Sequence, residues 1–146
     1  MSAINRINII CLGVKDMETS IKFYRDGLGF ETNETDNSPA VIFFNTTGTK
    51  FELFPLDDLR QDINAEDPPA VSQGFSGFTL AINVREKEAV NTVIDLALAA
   101  GATLLKVPTD VFWGGYHGYF SDPDGYVFEV AWGPGFSYDE DEMLVF

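Results

Sequence analysis

Apolar residues recur along this chain with the period of a strand, then of a helix, then of three further strands, and this order occurs twice. In the first occurrence, alternation places Ile10, Leu12 and Val14 on one face of a strand, and an amphipathic helix beginning near Asp16 follows. Its strands are predicted at residues 7–14 and at about 30–35, 40–45 and 49–55. The pattern therefore predicts a β-α-β-β-β unit.

The second occurrence matches the first closely enough to indicate an internal duplication. A strand ends at Val84, a helix is predicted over about residues 86–100, and two strands flank the turn at residues 121–125. The last hairpins read FFNTTGTKFELF and YFSDPDGYVFEVAW, so that Glu52 and Glu129 occupy equivalent positions. A repeat of this size predicts a quasi-twofold domain whose chemistry lies between its halves.

We therefore predict an α+β fold in a single domain, residues 1–146, with two βαβββ modules. Residues 56–76 are rich in acids, proline and glycine without sustained periodicity, so they are predicted to be a surface linker that can also cover a site. The tail is predicted to be irregular. The predicted segments are module one at about 5–55, the linker at about 56–76, module two at about 77–133 and the tail at about 134–146.

The strand register decides what the two glutamates can do. Phe128 and Val130 share an apolar face that should meet the helices, so Glu129 should point to the opposite, concave side. The same alternation puts Glu52 and Phe54 on that side in the first half. Two carboxylates lining one hollow can bind a divalent metal or act as a general base. The alternative is that each lies in solvent or forms a structural ion pair with a neighbour such as Lys50.

The segment WGGYHGYF, residues 113–120, predicts a glycine-rich aromatic loop that runs into a strand. Such loops commonly frame ligand pockets, which makes Trp113, Tyr116 and His117 candidate ligand-binding residues. The alternative is a glycine bulge with core aromatics and a solvent-facing His117. His117 is the only histidine, so nitrogen-rich zinc or nickel sites are disfavoured.

The composition, 45% apolar and 14% aromatic, is that of a globular domain, and the net charge is −14. This charge disfavours nucleic acid and membrane as partners and favours a cationic ligand. We expect a soluble, cytoplasmic protein, because no apolar run approaches membrane-spanning length and the lone Cys11 fits a reducing compartment. Nucleophile-elbow, phosphate-loop and dinucleotide motifs are absent from the sequence.

Two stretches also resemble a known family. GVKDMETSIKFYRDGLGF at residues 13–30 and GYFSDPDGYVFEVAWGP at residues 118–134 resemble the hallmark stretches of the vicinal oxygen chelate superfamily, the glyoxalase, bleomycin resistance protein and extradiol dioxygenase group. The resemblance implies two βαβββ modules that form a cupped mixed sheet around a cavity. It covers nearly the whole chain.

In metal-dependent members of this superfamily, four strand positions, usually His, Glu, His and Glu, hold a divalent ion. The resemblance carries these positions onto Ile9, Glu52, Thr79 and Glu129. Both glutamates remain, but an isoleucine and a threonine replace the imidazoles, and two carboxylates alone hold a transition metal loosely. The chain thus resembles the members that lack the metal-binding histidines, so no cofactor is expected; a weakly bound divalent metal is the alternative.

The resemblance leaves three hypotheses. One is a homodimeric protein of the bleomycin resistance type that binds a small, cationic or aromatic molecule. Another is a glyoxalase-like lyase or isomerase in which Glu129 or Glu52 removes a proton, with a weakly held ion or hydrogen-bond donors stabilising the product. In the third, side chains fill the cavity and the chain is an interaction module. The candidate ligand-binding residues are Phe54, Thr79, Trp113, Tyr116 and His117, beside the two glutamates.

Overall fold

The first module folds largely as the repeat predicts. The computed structural model describes residues 4–146. The elements of this half are β1 (Ile9–Val14), α1 (Met17–Ile21) with a π-helical turn (Lys22–Gly27), β2 (Ile42–Phe44) and β3 (Lys50–Pro55). The strand order is β1-β3-β2, with β1 parallel and β2 antiparallel to β3. The Asp16 carboxylate accepts the Thr19 amide at 3.1 Å and caps α1, as the sequence predicts.

The second module repeats this arrangement with one more strand. Its elements are β4 (Leu80–Asn83), α3 (Lys87–Ala99), β5 (Thr103–Asp110), β6 (Tyr116–Ser121) and β7 (Val127–Trp132). The order is β4-β7-β6-β5, with β4 parallel to β7 as β1 is to β3. The predicted α+β fold with mixed sheets is confirmed.

The prediction of a strand at about residues 30–35 is wrong. The chain there runs beside β2 through isolated bonds, in which Thr32 Oγ1 donates to the Phe43 carbonyl at 2.7 Å and the Asn45 amide donates to the Glu31 carbonyl, also at 2.7 Å. Side chains also accept nearby amides, as when Glu34 accepts the Asp36 amide at 2.9 Å. Such local bonds compete with a strand ladder for the same backbone groups.

The linker and the tail are more ordered than predicted. Helix α2 (Leu56–Ile63) opens the linker, and the tail forms a hairpin of β8 (Ser137–Tyr138) and β9 (Leu144–Val145). A β-carbon on Gly13 would lie 2.8 Å from Leu56 Cδ1, so the small residue lets α2 pack directly on β1. Helix α2 has eight residues, and its apolar side chains pack on another strand. It is too short for a helical period of apolar residues to be recognised in the sequence.

One hydrophobic core joins the two modules, with α1 and its π-helical turn between the two sheets. The Tyr24 ring lies 4.8 Å from Phe51 of β3 and 6.1 Å from Phe128 of β7, measured between centroids. Tyr24 also donates to the buried Asp122 carboxylate at 2.6 Å, and Tyr126 donates to the Gly13 carbonyl at 2.7 Å. Core side chains therefore fill the space between the modules of a single chain.

The predicted register is confirmed, because Phe51, Leu53, Phe128 and Val130 are buried in this core. Glu52 and Glu129 alternate with them and point the other way. We call the face of each sheet that is turned away from the core its open face. Since both sheets face one core, the open faces diverge, and the expectation that both carboxylates line one hollow does not hold within a single chain.

Candidate functional site

The open face of module two carries a polar cluster centred on His117. This residue is only 9% exposed, its Nδ1 lies 2.7 Å from Glu129 Oε2, and its Nε2 lies 3.0 Å from Lys106 Nζ. The antiparallel pairing of β6 with β7 sets His117 opposite Ala131, one pair away from Glu129 on the same face. The alternative of a solvent-facing His117 is therefore wrong, since the Glu129 carboxylate and neighbouring strands enclose the ring.

The partners of His117 define its tautomer. A lysine ammonium carries donors only, so Lys106 donates to Nε2, which must be the unprotonated nitrogen. Nδ1 then carries the proton and donates it to the Glu129 carboxylate. Tyr119 adjoins the same carboxylate: burial, and secondly the charge of Glu129 and a hydrogen bond to it, raise the pKa of the Tyr119 phenol.

Trp113 lies at the end of this open face. Its ring stacks on Phe136 with centroids 5.7 Å apart and covers Gly115 and Gly133, where a β-carbon would collide with the indole. The side chain remains 43% exposed, which leaves an aromatic surface beside the cluster. A ligand-binding role for Trp113 stays a prediction.

Tyr116 lies on the other side of the sheet. Its hydroxyl donates to Asn91 Oδ1 of α3 at 2.9 Å, and Lys87 Nζ lies 5.0 Å from its ring centroid. The expectation that Tyr116 faces the same pocket as Glu129 is wrong. In β6 the alternation turns His117 toward the open face, and its neighbour Tyr116 must face the helix.

The open face of module one is less polar. Glu52 pairs in register with Cys11 on one side and Phe43 on the other, and Phe43 is 51% exposed. Burial, together with the charge of Glu52 and a hydrogen bond to it, raises the pKa of the Cys11 thiol to about 12. Lys50 does not form the ion pair considered from the sequence; its Nζ donates to the Thr46 carbonyl at 2.7 Å.

Phe54 follows Glu52 on the same side of β3 and is half-buried. It lines a cleft of about 440 Å³ with Val41 of the segment before β2 and Asp58 and Gln61 of α2. The linker helix therefore covers one end of this open face, in keeping with the expectation that the linker can cover a site. The sequence did not reveal α2, which packs on the distant residue Gly13, or the role of Lys106, which depends on a pairing of β5 with β6 that contains register shifts.

Within a single chain, the four family positions do not form a site for the divalent ion of the metal-dependent members. Ile9, at the first family position, has no donor atom, and Thr79, at the third, is exposed just before β4. Glu129 already accepts a hydrogen bond from His117. Within residues 4–146, no group of three or more His, Cys, Asp or Glu side chains is placed to hold a metal.

These features define a protein of two βαβββ-like modules that share a core, with a polar cluster on one open face. The model of the Glyoxalase/Bleomycin resistance protein/Dioxygenase superfamily matches residues 6–130, and the chain belongs to this superfamily. In the part of the chain that the structure describes, no helix is both long and apolar enough to cross a membrane.

Several known proteins resemble the chain over most of its length. An uncharacterized protein, YraH, of Bacillus subtilis is 27% identical over 122 residues, which cover 83% of this chain and 93% of that protein. The crystal structure of a glyoxalase-related enzyme from Fulvimarina pelagi is 29% identical, with a TM-score of 0.86, and covers 98% of this chain and 99% of its own. A glyoxalase/bleomycin resistance protein/dioxygenase family enzyme from Burkholderia phytofirmans has the same fold, with a TM-score of 0.71 and 24% identity over 87% of this chain and 98% of its own.

Proposed function

We propose that this protein binds a small molecule, cationic or aromatic, between the open faces of two copies of the chain, without a tightly held metal. Module one of one copy faces module two of its partner, so that Glu52, Phe54 and Cys11 meet Glu129 and His117 across a shared cavity. The homodimer then contains two equivalent sites. The lone Cys11 supports a reducing, cytoplasmic location.

One observation carries this proposal. The two glutamates occupy equivalent positions of the repeat, yet within one chain the shared core turns them away from each other. A second copy is the partner that brings both kinds of face together, because each copy supplies one of each. Phe43, paired in register with Glu52, puts an exposed aromatic ring on the open face of module one, and aromatic residues are enriched at protein interfaces.

The dimer is tested by a matched pair of substitutions. Phe43→Glu places a charge on the open face of module one, and we expect it to shift the protein from dimer to monomer in light scattering coupled to gel filtration. Phe75→Glu is the control, because Phe75 is 68% exposed but lies in the linker. A monomeric wild-type protein, or a dimer that survives Phe43→Glu, would contradict the arrangement.

Ligand binding is tested on protein treated with a chelator. We expect calorimetry against a panel of cationic and neutral aromatic compounds to find a ligand that binds the wild-type protein. Glu52→Ala and Glu129→Ala should each weaken its affinity, although the two residues belong to different modules. Ligand binding that appears only after a divalent metal is added would count against the metal-free proposal.

A second function is favoured by the partly buried contact between His117 and Glu129. A carboxylate that holds an imidazole in one tautomer is the arrangement of general acid–base catalysis, and it would suit a glyoxalase-like lyase or isomerase. Solvent deuterium exchange into enolisable ketones such as dihydroxyacetone tests it. Exchange that is lost in Glu129→Gln or Glu52→Gln would support the enzyme, and exchange no faster than in buffer would favour binding alone.

A further inference from the structure

We infer that the chain has a second ligand site, separate from the proposed shared cavity, and that it binds a small carboxylate with an aliphatic body. The site is a cavity of about 350 Å³ where the linker passes over the junction of the two modules. None of the residues placed in the shared cavity lines it, so the inference does not rest on the proposed function. We call it the junction cavity; its lining residues lie within 13–15, 56–63, 69–78 and 124–126.

The inner wall of the junction cavity is aliphatic. Leu56 and Leu59 of α2 pack over Gly13 of β1, where an added β-carbon would lie 2.8 Å and 3.2 Å from their methyl carbons. Ile63 of the same helix and Val71 of the linker extend this surface and are 64% and 47% exposed. An apolar ligand that covers these side chains removes them from water, and the volume lies in the range of small-molecule sites.

The outer wall of the junction cavity is the linker, which is attached at both ends. At one end, Arg60 Nε donates to the Pro69 carbonyl at 2.6 Å. At the other end, the ring of Phe78 lies 6.1 Å from the ring of Tyr126, measured between centroids. Residues 69–76 are exposed to solvent, so a small molecule can enter beside this segment.

The charged groups of the lining are Lys15, Arg60 and Asp124. Arg60 forms an ion pair with Asp57 at 3.1 Å. The Asp124 carboxylate accepts hydrogen bonds from the Lys15 amide at 2.9 Å and from the Ser20 hydroxyl at 3.2 Å. Within residues 4–146, the Lys15 ammonium forms no hydrogen bond or ion pair. It is therefore the charged group of the lining that is available to a ligand.

The unpaired ammonium selects the charge of the ligand. An anionic head group gains a charge-assisted hydrogen bond from Lys15, whereas a cation would approach Lys15 and Arg60 and would find Asp124 already engaged. The net charge of −14 favours cations at long range, but salt screens distant charges more than those in contact with the ligand. The ligand class is thus a small carboxylate whose aliphatic part covers α2.

The head group is tested by calorimetry with octanoate and with octanamide, its neutral counterpart of the same shape. We expect octanoate to bind about tenfold more tightly, the gain that one charge-assisted hydrogen bond predicts. Lys15→Met should weaken octanoate to the level of octanamide and leave octanamide unchanged, and Lys15→Arg should keep the preference. Lys22→Met is the control, because it removes the same charge from an exposed lysine outside the lining.

The location is tested by a matched pair of substitutions in the linker. Val71→Glu places a carboxylate on the lining, and we expect it to weaken octanoate binding at least about tenfold through like-charge repulsion. Phe75→Glu places the same charge on the linker outside the lining and should leave the affinity unchanged. Both side chains are exposed, and circular dichroism verifies that the two variants remain folded.

The outcomes separate this inference from the proposed function. Octanoate that does not bind, or that binds no more tightly than octanamide, overturns the inference. Octanoate binding that Lys15→Met and Val71→Glu leave unchanged overturns it as well. The proposed function stands or falls on the dimer and on the aromatic panel instead. Because the junction cavity lies within one chain, Phe43→Glu should leave octanoate binding intact even where it produces a monomer.

Discussion

Glu52 and Glu129 have the same backbone setting but different chemical neighbours. Glu52 lies beside the Cys11 thiol and the Phe43 ring, whereas Glu129 lies beside an imidazole and a phenol. The duplication therefore reproduces strand pairing and side-chain direction but leaves each carboxylate with its own chemistry. Of the two carboxylates, only that of module two is hydrogen-bonded to an imidazole.

Cys11 should be a slow nucleophile in the folded protein. Burial, then the charge of Glu52 and a hydrogen bond to it, raise the pKa of the thiol to about 12. At about pH 8 we expect iodoacetamide to modify the folded chain at least about 100-fold more slowly than the urea-unfolded chain, because only the thiolate reacts. Glu52→Gln should recover only part of the difference, since burial is the larger cause. Equal rates in both states would show that the thiol is not perturbed.

The same shift predicts an alkaline loss of stability. The folded thiol holds its proton more tightly than the unfolded one, so the free energy of unfolding falls as pH rises above the ordinary thiol value of 9.0 and toward about 12. Urea unfolding of the wild type and of Cys11→Ala across this range measures it. We expect the wild type to lose stability relative to Cys11→Ala as pH rises; a constant difference would refute the assignment.

At the scale of elements, the alternation of apolar and polar residues predicted those strands that bury one face. Strands β1, β3, β6 and β7 match the sequence pattern because every second side chain enters the core. The polar stretch at about residues 30–35 has strand-like spacing, but its side chains bind the local backbone instead of supporting a ladder. The sequence did not predict helix α2, because its apolar side chains pack on Gly13, which is distant in sequence.

The turn before β6 offers a test of how Trp113 is held. Gly115→Ala should drive the indole off its position, because a β-carbon there collides with the ring. We expect Trp113 emission to shift to the red and the free energy of unfolding to fall by about 0.5–1.5 kcal/mol, the contribution of an aromatic pair such as that with Phe136. Gly135→Ala is the control, since no atom lies within 4 Å of the added carbon. The same emission from both variants would mean that the ring does not rest on Gly115.

At the scale of the whole molecule, the shared core determines where function can lie. Helix α1 and its π-helical turn fill the space between the sheets, so the side chains that face each other within one chain are aromatic and aliphatic. Glu52 of module one, and Glu129 and His117 of module two, lie on faces that point apart. In the proposed dimer, a second copy would bring these two faces together.

The contact between Tyr24 and Asp122 should be a main link between the modules. Burial raises the pKa of the Asp122 carboxyl, and the hydrogen bond from Tyr24 opposes that shift. Tyr24→Phe removes a donor from a buried charged acceptor, so we expect the free energy of unfolding to fall by about 1.5–3 kcal/mol in urea unfolding. Tyr126→Phe removes a donor from the neutral Gly13 carbonyl and should cost only about 0.5–1.5 kcal/mol. A larger loss for Tyr126→Phe would reverse the ranking of the two links.

The amino-acid sequence by itself determined the duplication, the α+β class and the direction of Glu52 and Glu129 relative to the apolar faces. These features follow from local periodicity, because burial of one side of a strand leaves its mark on every second residue. Only the tertiary structure decided that the two modules meet through their helical sides, that Tyr116 faces α3 and that His117 lies enclosed between Lys106 and Glu129. The geometry of these contacts depends on how whole elements dock and on the exact register of strand pairing, which no local pattern records.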